Sequence, residues 1–161
     1  MVSIVMSVCN GERHLRRSVE SILNQTLTDF EFIIVNDGST DASPAILQSY
    51  DNSRIVLLHN QKNRGLTYSL NRGLAAAKGE HIARMDADDI AMPRRLEKQV
   101  SFLGRHPGVG IVGCCCVNMD AGGRRVGSSR MPETDLGVRW TSLLGNPFIP
   151  VSYTHLRAHE T

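Results

Sequence analysis

Apolar and polar positions along this chain follow two rhythms, one of strands and one of helices, and the switches between them order the elements. Residues 2–9 form a β-branched apolar run that predicts a buried strand. Leu15, Val19, Ile22 and Leu23 then recur at helical spacing behind an expected N-cap at Asn10. Residues 30–35 predict a second strand, closed by Asn36, Asp37 and Gly38. Ser43-Pro44 predicts a helix start, because proline suits the first helical position, with Ile46, Leu47 and Tyr50 facing inward. Residues 55–58 predict a third strand. Leu66, Leu70 and Leu74 mark a third helix ending near Gly79, and residues 80–85 a fourth strand. Pro93, Leu96, Val100 and Leu103 mark a fourth helix, with Gly104 as its expected stop.

Strand and helix thus alternate four times, which predicts an α/β fold: a mainly parallel sheet, right-handed crossovers and helices on both faces. Beyond Gly108 the alternation weakens. Residues 109–117 predict a fifth strand and residues 120–129 a turn-rich stretch. Residues 151–161 continue no hydrophobic period and are expected to be a non-native or disordered tail, with the native sequence diverging near Pro150. The fold is therefore expected to be incomplete at its C-terminus.

The 161 residues suffice for one domain with a substantial core. Apolar residues at 41% and charged residues at 21% indicate a globular chain. The formal charge of +2 argues against nucleic acid as the partner and against a polybasic membrane anchor. No apolar run approaches the roughly 18 residues of a membrane span, and the first residues carry no signal-peptide pattern. The cysteines are Cys9, Cys114, Cys115 and Cys116; they are expected to be small core-filling residues in a reducing compartment, since spaced metal-binding pairs are absent.

In an open α/β sheet, ligands bind beyond the carboxyl ends of the strands. Those positions carry Ser7, Cys9, Asn10, Gly11 and Glu12; then Asn36 to Ser39; then Asn60, Asn63, Arg64 and Gly65; then Asp86, Asp88 and Asp89. In Asp86-Ala87-Asp88 two carboxylates project to one side of an extended backbone and can offer oxygens to Mg²⁺ or Mn²⁺. Taken alone the motif reads as a solvated acidic turn or a helix cap; its place after a strand in an alternating chain favours the cation. Asp37 can accept a hydrogen bond from a base imide or can simply serve a turn. Glu12 complements a helix dipole, or binds ligand; Arg64 is a cation near a nucleotide, or a surface residue. The histidines show no metal-ligand spacing. A Walker phosphate loop and a G-x-G-x-x-G turn after the first strand are both absent.

The ordered segments VSIVMSVCNGE, SILNQT, FEFIIVNDGSTD, NRGL, GEHIARMDADD and MPRRLEKQ resemble the family-2 glycosyltransferases of the GT-A fold over residues 1–118. The resemblance implies a Rossmann-like half-domain that binds a nucleoside diphosphate sugar, most often uridine-linked. It implies that Asp37 contacts the base, that Ser7, Cys9 and Glu12 line the nucleoside pocket, and that Arg64 lies near the nucleotide. Asp86 would sit by the ribose and the metal, and Asp88 on the metal itself, Mn²⁺ or Mg²⁺. It further implies inverting transfer to a glycan or lipid-linked glycan in cell-surface polysaccharide synthesis. The setting would be cytoplasmic, with peripheral association of the full-length protein at the inner membrane face. Residues 1–118 would be the donor core and 119–150 the start of the acceptor side.

Three departures stand out. Ser7 and Cys9 occupy positions where the family usually has proline and an aromatic, so base stacking is weakened. Asn36-Asp37 keeps only the second of two aspartates. The family's catalytic base lies further along than this sequence reaches, so the chain is expected to bind donor nucleotide weakly and to transfer sugar poorly or not at all. Two other readings remain: a sugar-nucleotide nucleotidyltransferase, which would want a Gly-rich basic loop after the first strand, and a Mg²⁺-binding receiver-like module.

Overall fold

The structure, a computed structural model, describes residues 1–143 and 153–156. In chain order the elements are β1 (Val2–Val8), α1 (Glu12–Leu23), β2 (Phe30–Asp37), α2 (Ser43–Gln48), β3 (Ile55–Asn60), α3 (Leu66–Ala76) and β4 (His81–Asp86). They continue with α4 (Arg95–Arg105), β5 (Ile111–Val112), β6 (Cys116–Met119), β7 (Arg125–Ser129), α5 (Asp135–Ser142) and β8 (Thr154–Leu156). The main sheet has the order β3-β2-β1-β4-β8-β5, and β6 and β7 form a separate hairpin. β1, β2, β3 and β4 are parallel, while β8 runs antiparallel to both neighbours. This is the expected α/β architecture.

Strand alternation sorts the side chains onto two faces. Val2, Ile4, Met6 and Val8 of β1 and Phe30, Phe32 and Ile34 of β2 point to one, where Leu15, Val19 and Ile22 of α1, Leu47 of α2 and Leu96 of α4 close over them. Val5, Ile33 and Ile82 point to the other, covered by Leu70, Ala76 and Ala77 in and after α3. Each large side chain removed from water contributes about 1.5–3 kcal/mol, so the inner strands β1 and β2 dominate the core. α3 approaches the sheet through its small residues. Ser69 and Gly73 are its buried positions, and a methyl group at Gly73 would stand 2.5 Å from Val5 Cγ1. Leu66 and Leu74, which mark the helix in the sequence, stay exposed.

Several expectations are corrected. Asn10 is not the cap of α1; Gly11 holds that position, and Asn10 is in the left-handed region at φ 53°. α4 runs through Gly104 to Arg105. The single strand expected over residues 109–117 is two short ones. Among the described residues β5 pairs with the short β8 and ends at Val112; Cys116–Met119 pairs instead with Arg125–Ser129, inside the stretch expected to be turns. The cysteines consequently fill no core: Cys9 and Cys115 are exposed, Cys114 and Cys116 half-buried, and none forms a disulfide. Thr154–Leu156, where no element was expected, lies between β4 and β5. Thr154 is fully buried and its hydroxyl donates to Gln99 Oε1 at 2.8 Å. The expected divergence near Pro150 and the rest of the 151–161 tail lie outside the described residues.

Candidate active site

The chain moves outward from β1 to β2 and β3, then returns to lay β4 on the other side of β1. The point where the order reverses is where an open sheet leaves a crevice. A cleft of about 440 Å³ lies there, lined by Ser7 at the end of β1 and Cys9, Asn10 and Gly11 after it, Arg13 and His14 of α1, Leu66 of α3, Asp86 at the end of β4 and Asp88 after it. Ser7 is the register partner of both Asp86 and Val35. Asp37 stands two residues beyond Val35, so Ser7, Asp37 and Asp86 leave the same face of the sheet at the same end.

The acidic turn is held from below by α1. Ser18 Oγ donates to the Asp86 carbonyl at 2.9 Å, and Ala91 N–H donates to Ser21 Oγ at 3.0 Å. Gln25 Nε2 donates to the Met92 carbonyl at 2.8 Å while its Oε1 accepts from Leu96 N–H at 3.1 Å. Ser18 and Ser21 of α1, with Gln25 just past its end, pin the whole connection from β4 to α4. The SILNQT segment therefore carries a function in the fold that its pattern alone does not reveal.

Burial raises Asp86 above the usual carboxylate range, Arg84 beside it opposes the rise, and the Asp88 charge adds to it. Asp89 is raised by burial and by the charges of Asp88 and Asp86, with Arg95 opposing. Asp88 is exposed at the mouth. Clustered carboxylates that repel one another are what a divalent cation relieves, and hard oxygen donors suit Mg²⁺ and Mn²⁺. Among the described residues no group of three or more His, Cys, Asp or Glu converges as a ready cage. The residues present therefore fit a cation that takes its remaining ligands from phosphate and water.

Asp37 plays a different part. It is 2% exposed. Its Oδ1 accepts from Asn60 Nδ2 at 2.6 Å and Arg64 N–H at 2.9 Å, and its Oδ2 accepts from Gly65 N–H at 2.9 Å. Burial pushes the carboxyl up, but the donors Asn60, Arg64, Ser69 and Gly65 together hold it below the usual range. The turn that follows requires glycine: Gly38 has φ +66°, and a Cβ there would meet the Lys62 and Asn63 backbone at 2.5 Å. Residues 62–65 are thereby clamped onto the end of β2, and Leu66 is delivered to the cleft wall. Oδ2 keeps one acceptor direction beyond Gly65.

The N-terminus of α1 is occupied by the loop after β2. Asn10 N–H donates to Ser39 Oγ, Gly11 N–H to Ser43 Oγ and Glu12 N–H to Asp41 Oδ2, each at 3.0 Å. Glu12 Oε2 accepts from Ala42 N–H at 2.9 Å. With these amides taken up by side chains, the loop after β1 is not an open phosphate cradle. That weighs against the nucleotidyltransferase reading.

Ser7, Cys9, Asp86 and Asp88 thus meet in one cleft. Asp37, Glu12 and Arg64 do not line it. Asp37 stands behind the wall, Glu12 ties α1 to the loop before α2, and the Arg64 guanidinium lies 4.3 Å over the Tyr68 ring. Arg13, His14 and Leu66 line the cleft without having been singled out in the sequence; the signal available was their place at the first turns of helices that open at the binding edge.

The parallel α/β sheet and the cleft at its switch point define an open α/β fold with a ligand crevice at the strand ends. The glycosyl transferase family 2 model matches residues 3–157, and the chain belongs to that family. It is 43% identical over 127 residues to EpsE of Bacillus subtilis (strain 168), a match covering 77% of this chain and 46% of that protein. It is 34% identical over 152 residues to the amylovoran biosynthesis glycosyltransferase AmsE of Erwinia amylovora, covering 92% of this chain and 57% of AmsE. The crystal structure of S. aureus TarS 1–349 in complex with UDP-GlcNAc superposes with a TM-score of 0.77 at 24% identity, over 98% of this chain and 45% of that one. The mannosyltransferase PcManGT from Pyrobaculum calidifontis, in complex with GDP-Man and Mn²⁺, gives 0.70 at 20% identity, over 97% and 44%. The chain spans about half the length of these proteins.

Proposed function

We propose that this chain binds a uridine diphosphate sugar in the cleft between the ends of β1 and β4. In the whole protein the sugar passes to a hydroxyl of a glycan or lipid-linked glycan, in cell-surface polysaccharide synthesis. The observation that carries this reading is the meeting of Asp86 and Asp88 with Ser7 and Cys9 in one cleft at the switch point. The UDP-GlcNAc complex of TarS is in keeping with a uridine donor, and the GDP-Man and Mn²⁺ complex of PcManGT with a nucleotide sugar and a dication, though not with uridine. AmsE, a polysaccharide biosynthesis glycosyltransferase by name, supports the polysaccharide setting.

In this reading Asp88, with Asp86, holds Mn²⁺ or Mg²⁺. When bound, that ion neutralises charge on the departing diphosphate. Ser7 and Cys9 face the nucleoside; Cys9 packs against it without the stacking surface of an aromatic ring. Asp37 acts from behind the cleft wall, fixing the backbone of Arg64 and Gly65. Asp86 is the carboxylate nearer the ribose. A single displacement at the anomeric carbon inverts it, with the acceptor proton taken by a carboxylate contributed from outside residues 1–118. Among the described residues no helix is long and apolar enough to cross a membrane. A cytoplasmic location at the inner membrane face belongs to the same proposal and rests on the family resemblance.

Calorimetric titration of the 161-residue chain with UDP tests the reading. UDP is expected to bind with Mn²⁺ present and to bind at least about tenfold more weakly, roughly 1.4 kcal/mol, in chelator. Equal affinity in both conditions removes the role of Asp88, and no binding in either removes the nucleotide.

A further inference from the structure

Arg84 precedes Asp86 by two residues on β4, so both side chains leave the same face. Arg84 Nη2 contacts both oxygens of the Asp86 carboxylate, at 3.1 and 3.4 Å. The pair is sheltered, with side-chain exposures of 17% for Arg84 and 33% for Asp86. The main chain of Arg84 is fixed on both sides. Its N–H donates to the Tyr153 carbonyl at 3.3 Å, and its carbonyl accepts from Nη1 and Nη2 of the buried Arg95 at 3.4 Å each. The Asp86 carbonyl is held in turn by Ser18. Among the described residues Asp88 makes no ion pair, so the two carboxylates of the motif are not equivalent.

We propose that Arg84 is a positioning residue that divides this acidic pair into a paired carboxylate, Asp86, and an open one, Asp88, and that the division couples cation binding to nucleotide binding. The inference rests on the donor-site reading above. Asp86, Asp88 and Asp89 lie among Arg84, Arg95 and the cleft-lining Arg13, a local sum near zero. Such a site holds a bare dication weakly. Once the dication is seated the sum is near +2, which draws in a diphosphate. Removing the Arg84 charge makes the empty site acidic and the loaded site less positive. The cation alone then binds more tightly and the diphosphate more weakly. A residue that only supports the fold would weaken both together.

The experiment measures free Mn²⁺ by electron paramagnetic resonance with the chain alone, and UDP affinity by calorimetry at saturating Mn²⁺. Arg84→Met is expected to bind Mn²⁺ alone roughly fivefold more tightly, and UDP with Mn²⁺ roughly fivefold more weakly, the scale of losing one nearby charge at a half-buried site. Arg84→Lys, which keeps the charge, returns both affinities toward the parent. Arg84→Gln, which keeps a donor to Asp86 without the charge, gives the same opposed shifts and serves if the methionine variant does not fold. Two affinities that fall together, or that both stay unchanged in a folded neutral variant, overturn the proposal. A parent chain that binds no UDP under any condition overturns the donor-site reading itself, and this inference with it.

Discussion

Asp88→Asn is expected to weaken Mn²⁺-dependent UDP binding by about 10–100-fold, the range seen when groups that shape a metal site are removed. Its thermal midpoint should stay within the effect of an exposed substitution, about 0.5 kcal/mol either way. Asp88 is exposed at the cleft mouth and, among the described residues, makes no ion pair, so the fold loses no contact. The substitution also relieves repulsion, because the Asp88 charge raises both Asp86 and Asp89. Lost affinity without lost stability identifies a residue kept for a ligand. Calorimetry and a thermal melt on the same preparation read both. A variant that binds UDP and Mn²⁺ like the parent would contradict the assignment.

Asp37→Ala should behave in the opposite way. It strips the acceptor from Asn60 Nδ2 and from the N–H groups of Arg64 and Gly65, all at the clamp between β2 and the 62–65 loop. Hydrogen bonds to a charged group contribute about 1.5–3 kcal/mol each and do not add fully, so a loss of about 3 kcal/mol or more is expected. At this chain length each kcal/mol moves the midpoint by about 2–4 °C, which makes the drop roughly 10 °C. The effect also depends on pH. The folded carboxyl lies below its unfolded value, so the folded state binds the proton less readily than the unfolded one. Its contribution is therefore complete above the unfolded value, near pH 4, and is lost as pH falls through the lower folded value. Denaturant melts of parent and variant should differ by the full amount at pH 7 and by progressively less as pH falls below the unfolded value. A gap unchanged on acidification would contradict the part assigned to the Asp37 charge.

How far the sequence shows this arrangement depends on where each signal resides. The core strands were legible because residues 2–8 and 30–35 are short, nearly continuous apolar runs, the pattern of strands buried on both faces. The acidic motif stood out because its two carboxylates, one residue apart, follow a strand in an alternating chain. The cysteines were misplaced because the length of β5 is decided by β8, far along the chain. Thr154–Leu156 carries no periodicity because three residues are too few, and Thr154 is buried against α4, where its hydroxyl donates to Gln99. The polar residues in and just after α1 were missed for a related reason. Ser18, Ser21 and Gln25 look like solvent positions until the connection from β4 to α4 is laid across them. Arg84 was missed because a charged residue in a strand gives no hint of whether it faces water or a carboxylate.

The most direct measurement is where manganese and nucleotide come to rest. Crystals grown with UDP and Mn²⁺, examined by anomalous diffraction at the manganese edge, should show one peak beside Asp88 in the cleft after β1 and β4. The diphosphate should reach that peak, and the uridine should lie toward Ser7 and Cys9. A manganese peak or a nucleotide bound away from Asp86 and Asp88, with the cleft left to water, would contradict the account.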